Sequence, residues 1–181
     1  MPALTAQVAI VRAEDIDDDA LVRTKMYELL DLLGDSIQTP PNAQVVVKVN
    51  LCLLLDCETG ATVDPRLVRF LVEWLLERRS IKEIVIAESD ATALDADRAF
   101  YGLGWDRVLA GFPQTRYLNL TRDERVKVIF DGLFFKELEM SRTYMEADYV
   151  ISFAKLKTHS MQGITCCMKN QFGALPEKLK V

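Results

Sequence analysis

Lys155, Lys157, Thr158 and His159 crowd into one short stretch, and Lys169 and Asn170 follow close behind. His159 is the single histidine of the 181 residues. Ammonium groups supply charge for an anion, and a hydroxyl supplies a directional hydrogen bond. An imidazole can pass a proton near neutrality. The stretch opens with Tyr149-Val150-Ile151-Ser152-Phe153, an apolar run that reads as a buried strand. Polar groups released directly after such a strand sit on a loop held by a rigid scaffold, where function concentrates. Gly163-Ile164-Thr165 then predicts a helix start capped by Thr165, whose free N–H groups would face the same cleft. Gly163 and Gly173 leave the backbone room to turn or to approach a ligand. Cys166 and Cys167 read as packing residues at that helix start.

Two further strands end in unusual chemistry. The valine-rich run 45–51 carries Lys48 and Asn50 on one face near its end. That lysine either extends to water or faces a cleft. The run 81–87 leads into Glu88-Ser89-Asp90, which either starts a helix or offers carboxylates as ligands or acid/base groups. Ligands of open parallel sheets bind beyond the carboxyl ends of the strands. Neighbouring strands would therefore gather an anion-binding set of Lys48, Asn50, Lys155, Thr158, Thr165, Lys169 and Asn170. His159, Lys157 and Glu88 would be the catalytic groups, and His159 with Asp90 would hold a divalent metal. The substrate expected is a small phosphorylated or carboxylated molecule. A reading from another class is a non-catalytic domain whose open sheet edge takes a partner: a second copy, giving a homo-oligomer, or another chain. Neither G-x-x-x-x-G-K-[ST] nor G-x-G-x-x-G occurs, so no known phosphate loop is present.

The elements that must position these groups alternate. An apolar run at 8–11 predicts a first strand. Asp15, Asp17, Asp18 and Asp19 suit the start of a helix running to Gly34. Asp64-Pro65 opens a second helix with an apolar stripe, ended by Arg78 and Arg79. Residues 95–110 predict a helix interrupted at Gly102 and Gly104, and 117–120 a short strand. Asp131-Gly132 between strand-like runs predicts a hairpin over 126–138. The expected fold is α/β: an open, mainly parallel sheet with helices on both faces plus that hairpin, in one domain over residues 1–181.

Composition excludes some functions. A net charge of -5 lacks the basic footprint that nucleic acid demands. No apolar run reaches the length needed to span a bilayer, and the N-terminus has no secretory pattern, so no membrane partner is expected. The four cysteines, Cys52, Cys57, Cys166 and Cys167, form no C-x-x-C pair. They read as reduced thiols of a cytoplasmic protein, with Cys52 and Cys57 as ordinary thiols ahead of metal ligands.

The segments K-L-K-T-H, G-I-T and K-N-Q-F-G, in that order, resemble the signature of the domain-of-unknown-function family 362. K-V-N-L resembles the family's K-P-N-x segment, with Val49 where proline is usual. Ala61-Thr62-Val63-Asp64-Pro65 and Ala87-Glu88-Ser89 match in pattern and order. The resemblance covers about Val45 to Pro176. It implies an α/β domain of a group often fused to iron–sulfur ferredoxin modules, and hence a redox partner. This sequence lacks the ferredoxin cysteine clusters, so no iron–sulfur cluster is expected in it. Members continue past the K-N-x-x-G motif, whereas this sequence stops at Val181, which marks a short or incomplete member.

Overall fold

The computed structural model describes residues 6–51, 53–91 and 94–176. The expectations for Cys52 fall outside that set. Helix α1 (Asp19–Leu32) starts as the aspartates predict: Asp18 is the cap, and its carboxylate accepts from the Ala20 and Leu21 N–H groups. Strand β1 (Ala43–Lys48) leads through a loop to helix α2 (Pro65–Arg78), capped by Asp64 with proline in the first turn. Strand β2 (Ile81–Glu88), helices α3 (Ala96–Gly102) and α4 (Trp105–Leu109) and strand β3 (Thr115–Asn119) follow. The break between α3 and α4 falls at Gly104, whose φ of +73° is open to glycine and strained for other residues.

Strands β4 (Arg125–Ile129) and β5 (Glu137–Ser141) pair antiparallel and lead into α5 (Arg142–Met145) and β6 (Tyr149–Ser152). A second small hairpin, β7 (Lys157–His159) with β8 (Gly163–Thr165), precedes α6 (Cys167–Phe172). The main sheet is wholly parallel, in the order β3-β2-β1-β6. The α/β expectation therefore holds, and the hairpin lies where it was placed. Two local expectations are corrected. Residues 8–11 form no strand; Val8 and Ile10 are exposed, and no strand among the described residues pairs with them. Asp131-Gly132 is not a two-residue turn: Ile129 pairs with Glu137, so 130–136 loop out.

Alternation along the buried strands divides the core. Val45, Val47, Ile84 and Ile86 pack with α1, α2, Phe100 and Trp105. Val46, Val85 and Ala87 face the opposite way, toward Leu120, Met140, Tyr144 and Ala174. The long helices thus cover one face, while β5, α5 and the segment after α6 cover the other. No helix among the described residues is long and apolar enough to cross a membrane.

Asp123 ties the hairpin to α5. Its carboxylate accepts from Ser141 Oγ at 2.6 Å and from the Thr143 N–H at 2.9 Å. Burial pushes its pKa up, but these hydrogen bonds outweigh burial and leave it below the ordinary carboxylate value. A depressed folded-state pKa contributes stability that is present above the unfolded-state value and lost as pH falls through the folded one. Asp123→Asn is therefore expected to flatten the acid limb of stability against pH. The cost near neutrality is about 1 kcal/mol or less, since the group is mostly solvated. Urea midpoints measured from pH 3 to 7 check this, and an unchanged acid limb would refute it.

Candidate functional site

The parallel order brings three strand ends together. Lys48 ends β1 and lies beside Ala87 of β2 on one side and Ser152 of β6 on the other. Glu88 is one residue beyond Ala87, which places its carboxylate against the Lys48 amine at 2.5 Å. Both residues are buried. The amine also donates to the Val49 carbonyl at 2.6 Å and to Asn170 Oδ1 at 3.2 Å. Glu88 accepts in addition from the Leu51 N–H at 2.8 Å and the Ser89 N–H at 2.9 Å. A buried charge is tolerated when it is both paired and hydrogen-bonded, and this network does both.

Helix α6 closes over the pair. Asn170 Nδ2 donates to the Lys48 carbonyl at 2.8 Å and to Ser152 Oγ at 3.2 Å. Ser89 Oγ donates to the Gly173 carbonyl. A Cβ at Gly173 would stand 3.1 Å from Lys48 Nζ and 2.9 Å from the Asn170 carbonyl. The backbone φ there is an ordinary -64°, so the glycine is required by space rather than by conformation.

A second arrangement lies outside this network. Lys155, Lys157, Thr158 and His159 line an open groove of about 630 Å³. Its other wall is Thr59, Gly60 and Ala61, at the end of a 3-10 turn over Cys57–Thr59. The Lys157 amine donates to the Ala61 carbonyl and so links the two walls. His159 Nδ1 accepts from the Met161 and Gln162 N–H groups, each at 3.2 Å. The neutral ring therefore carries its proton on Nε2, as a donor. Among the described residues the lining holds two lysines and one histidine and no carboxylate. Its electrostatic character is cationic.

The expected residues thus divide. Lys48, Glu88 and Asn170 meet in the buried network; Lys155, Lys157, Thr158 and His159 meet in the groove. Lys169 is in neither, with its amine 4.8 Å from the Phe172 ring centroid. Asn50 and Thr165 are buried, and Asn50 Oδ1 and Thr165 Oγ1 lack a hydrogen-bond partner among the described residues. Thr165 does not cap α6. It ends β8, the cap position is the extended Cys166, and no side chain caps the helix. Asp90 accepts from Asn119 Nδ2 and from the Ala96 N–H, each at 2.8 Å, which fastens the end of β3 and the start of α3. No group of three metal-ligating His, Cys, Asp or Glu side chains occurs among the described residues.

Sequence reasoning missed Ser152, Asn119 and the Ala61 carbonyl. The first two carried a signal, since each is a polar residue at the carboxyl end of a strand. The carbonyl carried none.

A family model described as "Domain of unknown function (DUF362)" matches residues 45–181. The chain is also similar to the "Thylakoid-associated protein sll1697" of Synechocystis sp. (strain ATCC 27184 / PCC 6803 / Kazusa). They share 44% identity over 50 residues, which is 28% of this chain and 16% of that protein. The similarity therefore spans less than a fifth of that relative's length. No solved structure matches.

Proposed function

This chain belongs to the DUF362 family of domains of unknown function, and we propose that its groove binds a small phosphorylated or carboxylated molecule as an enzyme site. The observation that carries this reading is the convergence of Lys155, Lys157 and His159 on one groove without a carboxylate. The lysines would hold the anion, Thr158 would add a hydroxyl donor, and the His159 Nε2–H would donate a hydrogen bond to the reacting group. Lys48, Glu88 and Asn170 would support from beneath by fixing α6 and the end of β1. A divalent metal on His159 and Asp90 is not part of this reading, because Asp90 is engaged with α3 and Asn119. The free thiols Cys57, Cys166 and Cys167 support a reducing, cytoplasmic setting.

The test uses inorganic phosphate and malonate as probes, with thermal stability and calorimetry as readouts. Saturable binding to the parent chain is expected. The double variant Lys155→Ala/His159→Ala should bind at least about tenfold more weakly, the loss of one or more charge-assisted hydrogen bonds. Equal binding by parent and variant, or no saturable binding, would sink the reading.

A specific observation favours a second reading, a partner domain. Leu133 and Phe134 at the β4–β5 tip are 97% and 91% exposed, and exposed apolar clusters mark interaction surfaces. Concentration-dependent association of a chain that ignores both anions would favour it.

A further inference from the structure

Cys166 at the cap of α6 and Cys167 at its first position are adjacent, free thiols, both exposed to solvent. They are not scattered. The Cys167 thiol reaches the Ser152 carbonyl at 3.6 Å, which fixes its direction. The Cys166 thiol, one residue away, is near enough to act on it electrostatically. Burial, and next the neighbouring Cys166, push the Cys167 thiol above its ordinary pKa, which favours its protonated form.

A disulfide between them is disfavoured. Neighbouring Cα atoms stand about 3.8 Å apart across a trans peptide, below the roughly 4.4–6.8 Å span that disulfides use. A single atom bridging the sulfurs escapes that constraint. A zinc site asks for three or four protein ligands, and no such cluster occurs among the described residues. A soft ion satisfied by two sulfurs fits instead. Next in the chain, Met168 is 91% exposed and adds a further soft sulfur to the same short segment.

We propose that Cys166 and Cys167 form a two-thiolate site for a soft, thiophilic monovalent metal of the Cu(I) class. On binding, each S–H bond gives way to an S–metal bond, two protons pass to solvent, and no electron is transferred. The site stands apart from the anion groove and does not depend on it. It does touch the buried network. Ser152 Oγ donates to the Cys167 carbonyl at 3.2 Å and accepts from Asn170, so an occupied pair would brace α6 over Lys48.

The test is anaerobic titration of the full chain with Cu(I) against a chromophoric Cu(I) chelator. One ion per chain is expected in the parent and in Cys57→Ser. Cys166→Ser and Cys167→Ser should each weaken retention on the order of a hundredfold, since one thiolate remains where two are needed. Circular dichroism checks that the variants fold, and exposed thiols replaced by hydroxyls should leave the melting temperature nearly unchanged. Full retention by either single variant, or by the two combined, would overturn the proposal. So would a parent that yields all its copper to the chelator.

Discussion

Glu88→Ala is expected to lower the free energy of unfolding by about 3–5 kcal/mol, because it strands the Lys48 ammonium in the core without its counter-charge. The magnitude follows from burial. Lys48 has no exposed surface and Glu88 is 4% exposed, so solvent cannot take over the pairing. The same substitution leaves the Leu51 and Ser89 N–H groups, which now donate to the carboxylate, without partners. Unsatisfied buried donors cost more than a simple lost contact. A companion variant gives the argument its edge. Lys48→Met/Glu88→Gln removes both charges and keeps an acceptor for one of the two N–H groups, which donate to different carboxylate oxygens. It should recover part of the loss, since apolar replacement of a buried pair is often neutral. Guanidinium unfolding of the three chains decides it. If Glu88→Ala proves as stable as the parent, the amine has found water, and the network described above is not closed.

That network also shows where sequence reasoning reaches and where it stops. The valine run of β1 and the Asp64-Pro65 start of α2 were legible because each rests on a local rule: continuous burial for one, helix capping for the other. The parallel sheet, though not its count of four strands, followed from their alternation. The strand expected at 8–11 had the right composition, but a strand exists only if a neighbour offers its hydrogen bonds, and composition does not record neighbours. The hairpin erred by register for the same kind of reason. Val126 sits opposite Met140 and Val128 opposite Leu138, and Met140 packs into the second apolar cluster. Burying that face leaves Leu133 and Phe134 in the loop, although they look more strand-like than Glu137 or Glu139.

The candidate site follows this pattern. Lys48 and Glu88 end β1 and β2, whereas His159 lies on the separate strand β7 and not on a loop directly after β6. Their division was not legible. It depends on β1 lying directly beside β2, and on Asn170 returning to Lys48 across 122 positions. A lysine at a strand end looks available until the carboxylate on the next strand is seen.

Gly173→Val should be nearly as damaging by a different route, and it tests what the K-N-Q-F-G segment is for. A Cβ there meets the Asn170 carbonyl, which is backbone, and the Lys48 amine, which is held by three acceptors. Neither can retreat cheaply. Valine adds two methyl groups to that space, and the expected cost is that of overpacking a tight core, about 1–3 kcal/mol. The relief must come from α6, a short helix whose hold on the sheet runs through Asn170 and Ser89. Moving α6 away breaks the Asn170 bonds and opens the lysine to solvent. Two measurements therefore have to move together. The melting temperature falls, and Lys48, protected from an amine-acylating reagent in the parent, becomes labelled in the variant when peptides are mapped by mass spectrometry. Gly173→Ala should give the same pattern at smaller amplitude, because its single methyl still lies inside contact distance. Stability lost while Lys48 stays protected would mean that α6 is not the cover over the charged pair. The segment would then owe its glycine to some other neighbour.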